Sequence, residues 1–349
     1  MKLTPSPMEA FAAYTSRSSI SELSTLYDGF ILDQFGVLHN GSEALPGAVD
    51  CVRRLAAAGK RLVILSNTSS PAEATLAKLR RLGFISESGG DAVSSFGTPF
   101  LGAITSGDEA ARYVASGGVE SGGDRSGSEG PIRRALWLTW SEDNPDTSAH
   151  PLEFLDRCGG RAIPASSVDD ADFVLAHGSQ VIRGPGGPGD ATETSLGSFY
   201  DDGDPGPVLG TMLRSCADRG LPMVCANPDL VVGLAGGRVA HMPGRIGSLY
   251  EEAGGVCRYF GKPREEHFEA CLKELGLERG RVAHVGDSLR HDVAGAKAAS
   301  LSSVFVTGGI HLDALGCPLG GIPEDNELMA LFEAEGGIVP DHVIPLFRW

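Results

Sequence analysis

Short apolar runs alternate with helical segments near the start of the chain, and this order limits the folds available to it. FILDQFGVL (30–38) and RLVILSN (61–67) have the length and apolar content of buried strands. An amphipathic segment follows each run, at 44–59 and 69–83. Strand and helix in alternation imply right-handed crossovers and parallel strands. The pattern predicts an α/β fold with a doubly wound parallel sheet, and 91–97 as a further strand.

The same alternation returns near the end of the chain, after a middle segment with strands of its own. RVAHVGD (281–287) and SSVFVTGG (302–309) are typical of buried strands, and 265–276 of a helix. A chain of 349 residues is long enough for two domains. We therefore expect one domain from residues 1–97 plus 258–349, with an α/β domain, 98–257, inserted into it.

Two stretches of the middle segment are rich in Gly, Ser, Pro and Asp. They cover residues 116–130 and 184–207. Such compositions bury little apolar surface to offset the entropy lost on ordering. We expect both stretches to be mobile loops.

Charge and composition exclude several classes of protein. The formal net charge is −16, whereas binding to a nucleic-acid backbone requires a basic face. No apolar run reaches the ~18 residues of a membrane span, and the N-terminus lacks the apolar region of a signal peptide. The seven cysteines are widely spaced, which favours free thiols in a reducing compartment. We expect a cytoplasmic protein that binds neither nucleic acid nor membranes.

Asp33 lies at the end of the first predicted strand, and Gly36 follows it. Ligands of open α/β sheets bind beyond the carboxyl ends of strands. A carboxylate at that position is suited to be a covalent nucleophile or a metal ligand. The alternative is an aspartate that stabilises a turn.

Two further motifs are candidates for phosphate binding. Ser66 and Asn67 begin a run of hydroxyl and amide side chains between a strand and a helix, where anions bind readily. Lys262, in Gly261-Lys262-Pro263, precedes another helix and is able to offset phosphate charge. Each has a simpler interpretation, a helix N-cap cluster and a surface lysine.

The fourth motif is HVGDSLRHD (284–292), in which Asp287 ends a strand and Asp292 lies in the first turn of a helix. Mg²⁺ takes one or two protein carboxylates together with phosphate oxygens and water. Asp287 and Asp33 would supply that pair, at a separation of about 3–5 Å. The alternative is the ordinary enrichment of acidic residues at helix N-termini.

In this order the motifs resemble those of the haloacid dehalogenase (HAD) superfamily, in the branch with a large inserted α/β cap. LDQFGVLHNG, LSNTS, GKP and VGDSLRHD resemble its motifs one to four, over about residues 27–310. The resemblance implies a HAD-like core with a cap domain, and Asp33 as the nucleophile. It also implies the following roles: Ser66, Asn67 and Lys262 hold the phosphoryl group, Asp33, Asp287 and the Phe35 carbonyl bind Mg²⁺, and Asp292 orients Lys262 or a metal-bound water.

Phe35 is a departure from the family pattern. Phosphatases of the superfamily carry a second aspartate there, which protonates the leaving oxygen and activates water. General acid–base help of this kind contributes roughly 10²–10⁴-fold to the rate. His39 is a candidate substitute acid, although a histidine in a loop is more often a bystander. Asp229 either faces the substrate or stabilises a turn.

These motifs predict a Mg²⁺-dependent phosphatase that forms an aspartyl-phosphate on Asp33. Its substrate would be a small phosphorylated metabolite. A binding or regulatory protein with little turnover is the alternative, and Phe35 favours it. A homodimer is compatible with the sequence.

Overall fold

Strands and helices alternate through the computed structural model, which describes residues 14–85, 98–119, 131–142, 151–187, 189–233 and 238–349. The elements up to residue 115 are β1 Thr15–Ser16, α1 Ile20–Leu23, β2 Gly29–Leu32, α2 Ala48–Ala57, β3 Arg61–Ser66, α3 Ala72–Arg81, β4 Phe100–Thr105 and α4 Ser106–Ala115.

The middle of the chain adds nine strands and four helices among its described residues. They are β5 Arg133–Thr139, α5 Pro151–Arg157, β6 Ala162–Pro164, β7 Phe173–Ala176, β8 Val181–Arg183, β9 Glu193–Ser195, α6 Phe199–Asp202, α7 Gly206–Asp218, β10 Pro222–Cys225, β11 Val231–Gly233, β12 Val239–His241, α8 Pro243–Glu252 and β13 Val256–Tyr259.

The last part returns to the pattern of the first. Its elements are α9 Glu265–Leu275, β14 Val282–Gly286, α10 Ala294–Ala298, β15 Ser302–Val306, α11 Asp325–Ala334 and β16 His342–Ile344. A short 3₁₀ turn, Arg279–Arg281, precedes β14, and a π-helical turn, Leu289–Val293, leads into α10.

The chain divides into two compact units. The first comprises the described residues of Met1–Ser66, Thr75–Ile104 and Lys262–Trp349, and the second those of Asn67–Ala74 and Thr105–Gly261. The first unit holds a seven-stranded sheet in the order β1-β16-β15-β14-β2-β3-β4. Parallel pairing joins β1 to β16, β16 to β15, β15 to β14, β14 to β2 and β2 to β3.

Both faces of this sheet are covered by helices. Along β2, Phe30 and Leu32 pack in one apolar cluster with residues of α1 and α2. Ile31 points to the opposite face and packs with Phe268 and Cys271 of α9. Because alternate side chains of a strand face opposite sides, a strand buried on both faces is apolar throughout. This explains the continuous apolar run and confirms the predicted α/β parallel-sheet core.

The second unit is built around its own mixed sheet, in the order β13-β10-β7-β5-β8-β9, with β6 paired to β5. β8 runs antiparallel to both β5 and β9. Along β5, Leu136 and Leu138 belong to one buried cluster, whereas Ala135 and Trp137 belong to another. This sheet is therefore also apolar on both faces.

Two expectations need correction. The expected boundaries after residues 97 and 257 lie too early, because β4 joins the first sheet and β13 joins the second. Part of 184–207 is ordered, since β9 pairs with β8 and the buried Leu196 and Phe199 anchor the segment that follows. The expected strand at 91–97 lies outside the described residues.

Within the described part of the chain, no helix combines the length and the apolar character that crossing a membrane would need.

Candidate active site

Three polar side chains lie where neighbouring strands of the first sheet end. Ser66 is the last residue of β3, while Asp33 and Asp287 directly follow β2 and β14. The backbone amide of Asp33 donates to the carbonyl of Val285 at 2.9 Å, which extends the pairing of β2 with β14. Because β14, β2 and β3 are consecutive in the sheet, their carboxyl ends bring the three buried side chains to one edge.

Lys262, just before α9, is buried against two of the carboxylates. Its Nζ lies 2.7 Å from Oδ1 of Asp33 and 2.8 Å from Oδ1 of Asp292. Carboxylate oxygens of Asp33, Asp287 and Asp292 all lie within 4.8 Å of one another. The structure thus brings together four of the residues that the sequence singled out.

Two glycines make room for the Asp287 carboxylate. A Cβ on Gly36 would lie 1.8 Å from Oδ2 of Asp287, and one on Gly309 would lie 2.1 Å from the same atom. Gly36 also has a φ of +75°, which other residues rarely adopt. The backbone amide of Ile310 donates to this oxygen at 2.8 Å. The carboxylate is therefore enclosed and held by backbone on one side.

Burial and mutual repulsion perturb these carboxyl groups. Burial raises the pKa of Asp33 to about 7, with Lys262 opposing the shift and Asp292 adding to it. The pKa of Asp287 is raised by burial and by the charges of Asp33 and Asp292. Burial alone would raise the pKa of Asp292, but Lys262 and His284 hold it below its usual range. The positive charge near Asp33 and Asp287 is therefore too small to balance both carboxylates when they are ionised.

This donor set fits a hard divalent cation. Three carboxylates face one ammonium, so negative charge remains uncompensated when all four groups are ionised. Carboxylate oxygens are the ligands that Mg²⁺ prefers. A cation beside Asp33 and Asp287 would favour their ionised forms and remove the repulsion that raises their pKa values.

Phe35 and His39 lie in the loop after β2. The Phe35 side chain is 38% exposed, and its ring meets the ring of His39 edge-on, with centroids 6.1 Å apart. His39 is buried, and its Nδ1 accepts from the amide of Gly41 at 3.0 Å. Burial, with a smaller effect from Lys78, lowers the pKa of His39 to about 4. A ring that is neutral at pH 7 is a poor proton donor, which counts against His39 as a substitute acid.

Asn67 has a partner within its own unit, the second. Its Nδ2 donates to Oδ1 of Asp229 at 2.8 Å, and the backbone amide of Asp229 donates to Oδ1 of Asn227 at 2.9 Å. A Cβ on Gly261 would lie 2.4 Å from Oδ1 of Asn67. The turn around Asp229 therefore fixes the Asn67 amide. This contact is compatible with both roles considered for Asp229, facing the substrate and stabilising a turn.

His284 begins the fourth motif, but no role was predicted for it from the sequence. It lies in β14 and is 1% exposed, and its Nε2 is 2.8 Å from Oδ1 of Asp292. A histidine within an apolar strand is ordinarily a core residue. The only available signal was its position three residues before the strand-end Asp287.

Comparisons with known proteins point to the same family as the sequence motifs. A family model described as haloacid dehalogenase-like hydrolase matches residues 30–120, and a second, described as HAD-hydrolase-like, matches 259–316. The human protein named glycerol-3-phosphate phosphatase is 28% identical over 293 residues, which cover 81% of this chain and 79% of that protein.

Solved structures show the same fold. A HAD-like hydrolase from Brucella suis superposes with a TM-score of 0.63 at 21% identity, covering 94% of this chain and 98% of its own. A glycerol phosphate phosphatase from Mycobacterium tuberculosis, solved in complex with magnesium, superposes with a TM-score of 0.54 at 19% identity. The match covers 86% of this chain and 74% of that protein's chain. The chain is therefore similar to hydrolases of the haloacid dehalogenase superfamily, in two matched segments and in its fold.

Proposed function

We propose that this protein is a Mg²⁺-dependent phosphatase in which Asp33 is the nucleophile. The observation that carries the proposal is the buried cluster at one edge of the first sheet. Asp33 contacts Lys262 at 2.7 Å, and its carboxylate lies within 4.8 Å of Asp287. A nucleophilic carboxylate, a fixed positive charge and a second carboxylate for a cation are the parts that phosphoryl transfer to an aspartate needs.

In the first step a carboxylate oxygen of Asp33 attacks phosphorus. The bond from phosphorus to the leaving oxygen breaks, and that oxygen keeps the electron pair. Lys262, held beside Asp33, compensates charge on the phosphoryl oxygens, while Ser66 and Asn67 donate hydrogen bonds to them. Water then attacks phosphorus in the aspartyl-phosphate, and the bond from phosphorus to the Asp33 oxygen breaks with its electron pair returning to the carboxylate. Inorganic phosphate is released, and the proton lost by the water passes through solvent to the leaving oxygen of the first step.

Asp33, Asp287 and the carbonyl of Phe35 are assigned to Mg²⁺, and Asp292 to the orientation of Lys262. When bound, the ion supplies charge neutralisation for the phosphoryl oxygens. The family supports this choice, because a glycerol phosphate phosphatase of the same fold has been solved with magnesium. The uncompensated carboxylates of this chain support it independently.

The substrate proposed is a small phosphorylated metabolite, with glycerol phosphates as the first compounds to test. Two proteins similar to this chain are named for activity on glycerol phosphate. By the resemblance to capped members of the superfamily, we assign the inserted segment, expected at 98–257, the role of a cap domain that selects the substrate.

A second candidate is a phosphate-binding or regulatory protein with little turnover. Phe35 favours it, because a phenyl ring cannot deliver a proton to the leaving oxygen. The assembled set of Asp33, Lys262 and Asp287 favours the enzyme, since binding alone does not need a nucleophile.

The deciding experiment is a screen of phosphate esters with Mg²⁺, comparing the wild type with Asp33→Asn. We expect turnover of at least one ester and a loss of at least about 10³-fold in the variant. Asp28→Asn is the matched control, because Asp28 precedes the same strand and is paired with Arg281 on the surface. Full activity in Asp33→Asn would overturn the proposed nucleophile. Phosphate binding without turnover would instead favour the second candidate.

A further inference from the structure

The ring of His284 lies between a backbone carbonyl and a carboxylate in the buried cluster. Its Nδ1 is 3.1 Å from the carbonyl oxygen of Ile31 in the neighbouring strand, and its Nε2 is 2.8 Å from Oδ1 of Asp292. The ring of Phe268 packs edge-on against it, with centroids 5.0 Å apart. The imidazole is therefore fixed in position and in orientation.

The hydrogen of this contact belongs to His284. Asp292 accepts from the Lys262 ammonium at 2.8 Å and from the backbone amide of Ser288 at 3.0 Å, as a carboxylate does, and an ionised carboxylate can only accept. Nε2 must therefore carry a hydrogen and donate a hydrogen bond to Oδ1, whereas Nδ1, beside the Ile31 carbonyl, carries a hydrogen only when the ring is an imidazolium. A hydrogen bond to a charged, buried carboxylate is among the stronger hydrogen bonds in proteins.

Three donors converge on Asp292. Oδ1 accepts from His284 and from Nζ of Lys262 at 2.8 Å, and Oδ2 accepts from the backbone amide of Ser288 at 3.0 Å. On the remaining side, a Cβ on Gly286 would lie 2.0 Å from Cγ of Asp292, so the carboxylate packs closely on the strand. These contacts fix its orientation, and without His284 the Oδ1 atom would be held by Lys262 alone.

Lys262 links this arrangement to the nucleophile. The same Nζ that donates to Asp292 lies 2.7 Å from Oδ1 of Asp33. We propose that His284 is a positioning residue for phosphoryl transfer: its Nε2–H fixes Asp292, which in turn holds the Lys262 ammonium against the attacking carboxylate of Asp33. This inference rests on the proposed phosphatase function and extends it to a residue that has no contact with substrate.

The test uses substitutions that keep or remove the donor. In His284→Gln the amide nitrogen takes a position close to Nε2 and keeps the bond to Asp292. In His284→Asn the amide is too short to reach Asp292, and His284→Leu has no donor. We expect kcat to stay within about 3-fold of wild type in the Gln variant and to fall about 10- to 100-fold in the Asn and Leu variants. KM should change less than kcat, because the lysine charge stays in the site but is misplaced.

His342→Leu is the matched control for lost stability. His342 is also a buried histidine, in β16 of the same sheet, but its Nε2 is bonded to the hydroxyl of Tyr27 at 2.9 Å. We expect this variant to unfold at lower urea concentration and to retain wild-type kcat. An equal loss of kcat in His342→Leu and His284→Leu would overturn the positioning role.

A double variant tests the route through Asp292. If His284 acts only through that carboxylate, His284→Asn should cause no further loss of kcat in an Asp292→Ala background. Equal kcat in the Gln and Asn variants, or additive losses in the double variant, would overturn the inference. These outcomes are distinct from failure of the proposed function, which is recognised by full activity in Asp33→Asn.

Discussion

By the resemblance of its first motif, Phe35 takes the place of a second aspartate that phosphatases of the haloacid dehalogenase superfamily carry two residues beyond the proposed nucleophile, Asp33. Its ring is partly exposed and lies against His39. Neither side chain supplies a proton at neutral pH, because a phenyl ring has none to give and burial keeps His39 neutral. The leaving oxygen must therefore depart without protonation by these residues, which makes the rate depend on the acidity of the leaving alcohol.

The acidity of the leaving alcohol should set the rate of the wild type. Wild type should hydrolyse 4-nitrophenyl phosphate faster than glycerol phosphate, because nitrophenolate leaves readily without a proton. Phe35→Asp should raise kcat/KM for glycerol phosphate by up to about 10²-fold and change the aryl ester much less. The measurement is a leaving-group series for both proteins.

Phe35→Asn is the control, since it matches the size and polarity of aspartate without a titratable proton. An equal gain in the Asn variant would show that removal of the ring, and not the acid, is responsible. Equal wild-type rates on alkyl and aryl esters would show that another group already protonates the leaving oxygen, and His39→Gln would then be the next variant.

The carboxylates at strand ends could be predicted from the sequence, but the residues hydrogen-bonded to the site side chains could not. Asp33 and Asp287 each follow an apolar run, and the geometry of a parallel sheet brings such ends together. His284 gives no comparable signal. A buried histidine has the same sequence pattern whether it is hydrogen-bonded to a carboxylate or simply packs in the core. The partner of Asn67, Asp229, is 162 positions away, and no local rule predicts such a pairing.

Among the elements, the loop after β2 carries the strictest backbone requirement of the site. Gly36 has a φ of +75°, and its missing Cβ leaves space for the carboxylate of Asp287. Backbone strain and side-chain overlap would both follow from any substitution there. The two effects can be separated, because Gly83 has a φ of +85° and no heavy atom within 4 Å of its Cβ position.

The element-scale prediction compares Gly36→Ala with Gly83→Ala. Both should lose about 1 kcal/mol of unfolding free energy to the left-handed backbone. Gly36→Ala alone should also weaken Mg²⁺ binding and lower kcat by at least about 10-fold, since the methyl group displaces Asp287. Urea unfolding, calorimetric titration with Mg²⁺ and steady-state kinetics provide the measurements. Unchanged Mg²⁺ affinity in Gly36→Ala would contradict the assignment of Asp287 to the metal.

The segment 184–207 shows why composition misled the prediction of the elements. Its glycines, prolines and aspartates indicate a loop, but only a few apolar residues are needed to hold a short strand in place. Leu196 and Phe199 are buried with the β5 side chains Leu136 and Leu138. Because the cluster that receives them comes from distant parts of the chain, the sequence of the segment alone does not reveal it.

Across the whole molecule, each of the two units is built around a sheet that is buried on both faces. The alternation of apolar runs and helices was sufficient to predict the first sheet and the presence of a second domain. The boundaries were less predictable, because β4 and β13 have no compositional break beside them that distinguishes one sheet from the other. Which sheet an edge strand joins depends on pairing partners that are distant in sequence.

The whole-molecule prediction concerns acid stability of the second unit. His177 is buried, with Nδ1 2.9 Å from Oγ1 of Thr139, and burial together with the charge of Arg157 lowers its pKa to about 3. The unfolded chain takes up a proton near pH 6.5, whereas the folded unit does not until about pH 3. The contribution of His177 to the free energy of unfolding is therefore complete above about pH 6.5. It is lost as the pH falls, at a rate approaching ~1.4 kcal/mol per pH unit.

His177→Asn removes this titration and keeps a polar group beside Thr139. In a Trp349→Phe background the remaining tryptophans, Trp137 and Trp140, both belong to the second unit, so fluorescence during urea unfolding reports that unit alone. At pH 8 the two proteins differ only by the packing of the substituted side chain. Between pH 6.5 and 5 the wild type should lose up to about 2 kcal/mol more than the variant. If the free energies of unfolding of wild type and His177→Asn differ by a constant amount across this range, His177 gains its proton in the folded unit as readily as in the unfolded chain.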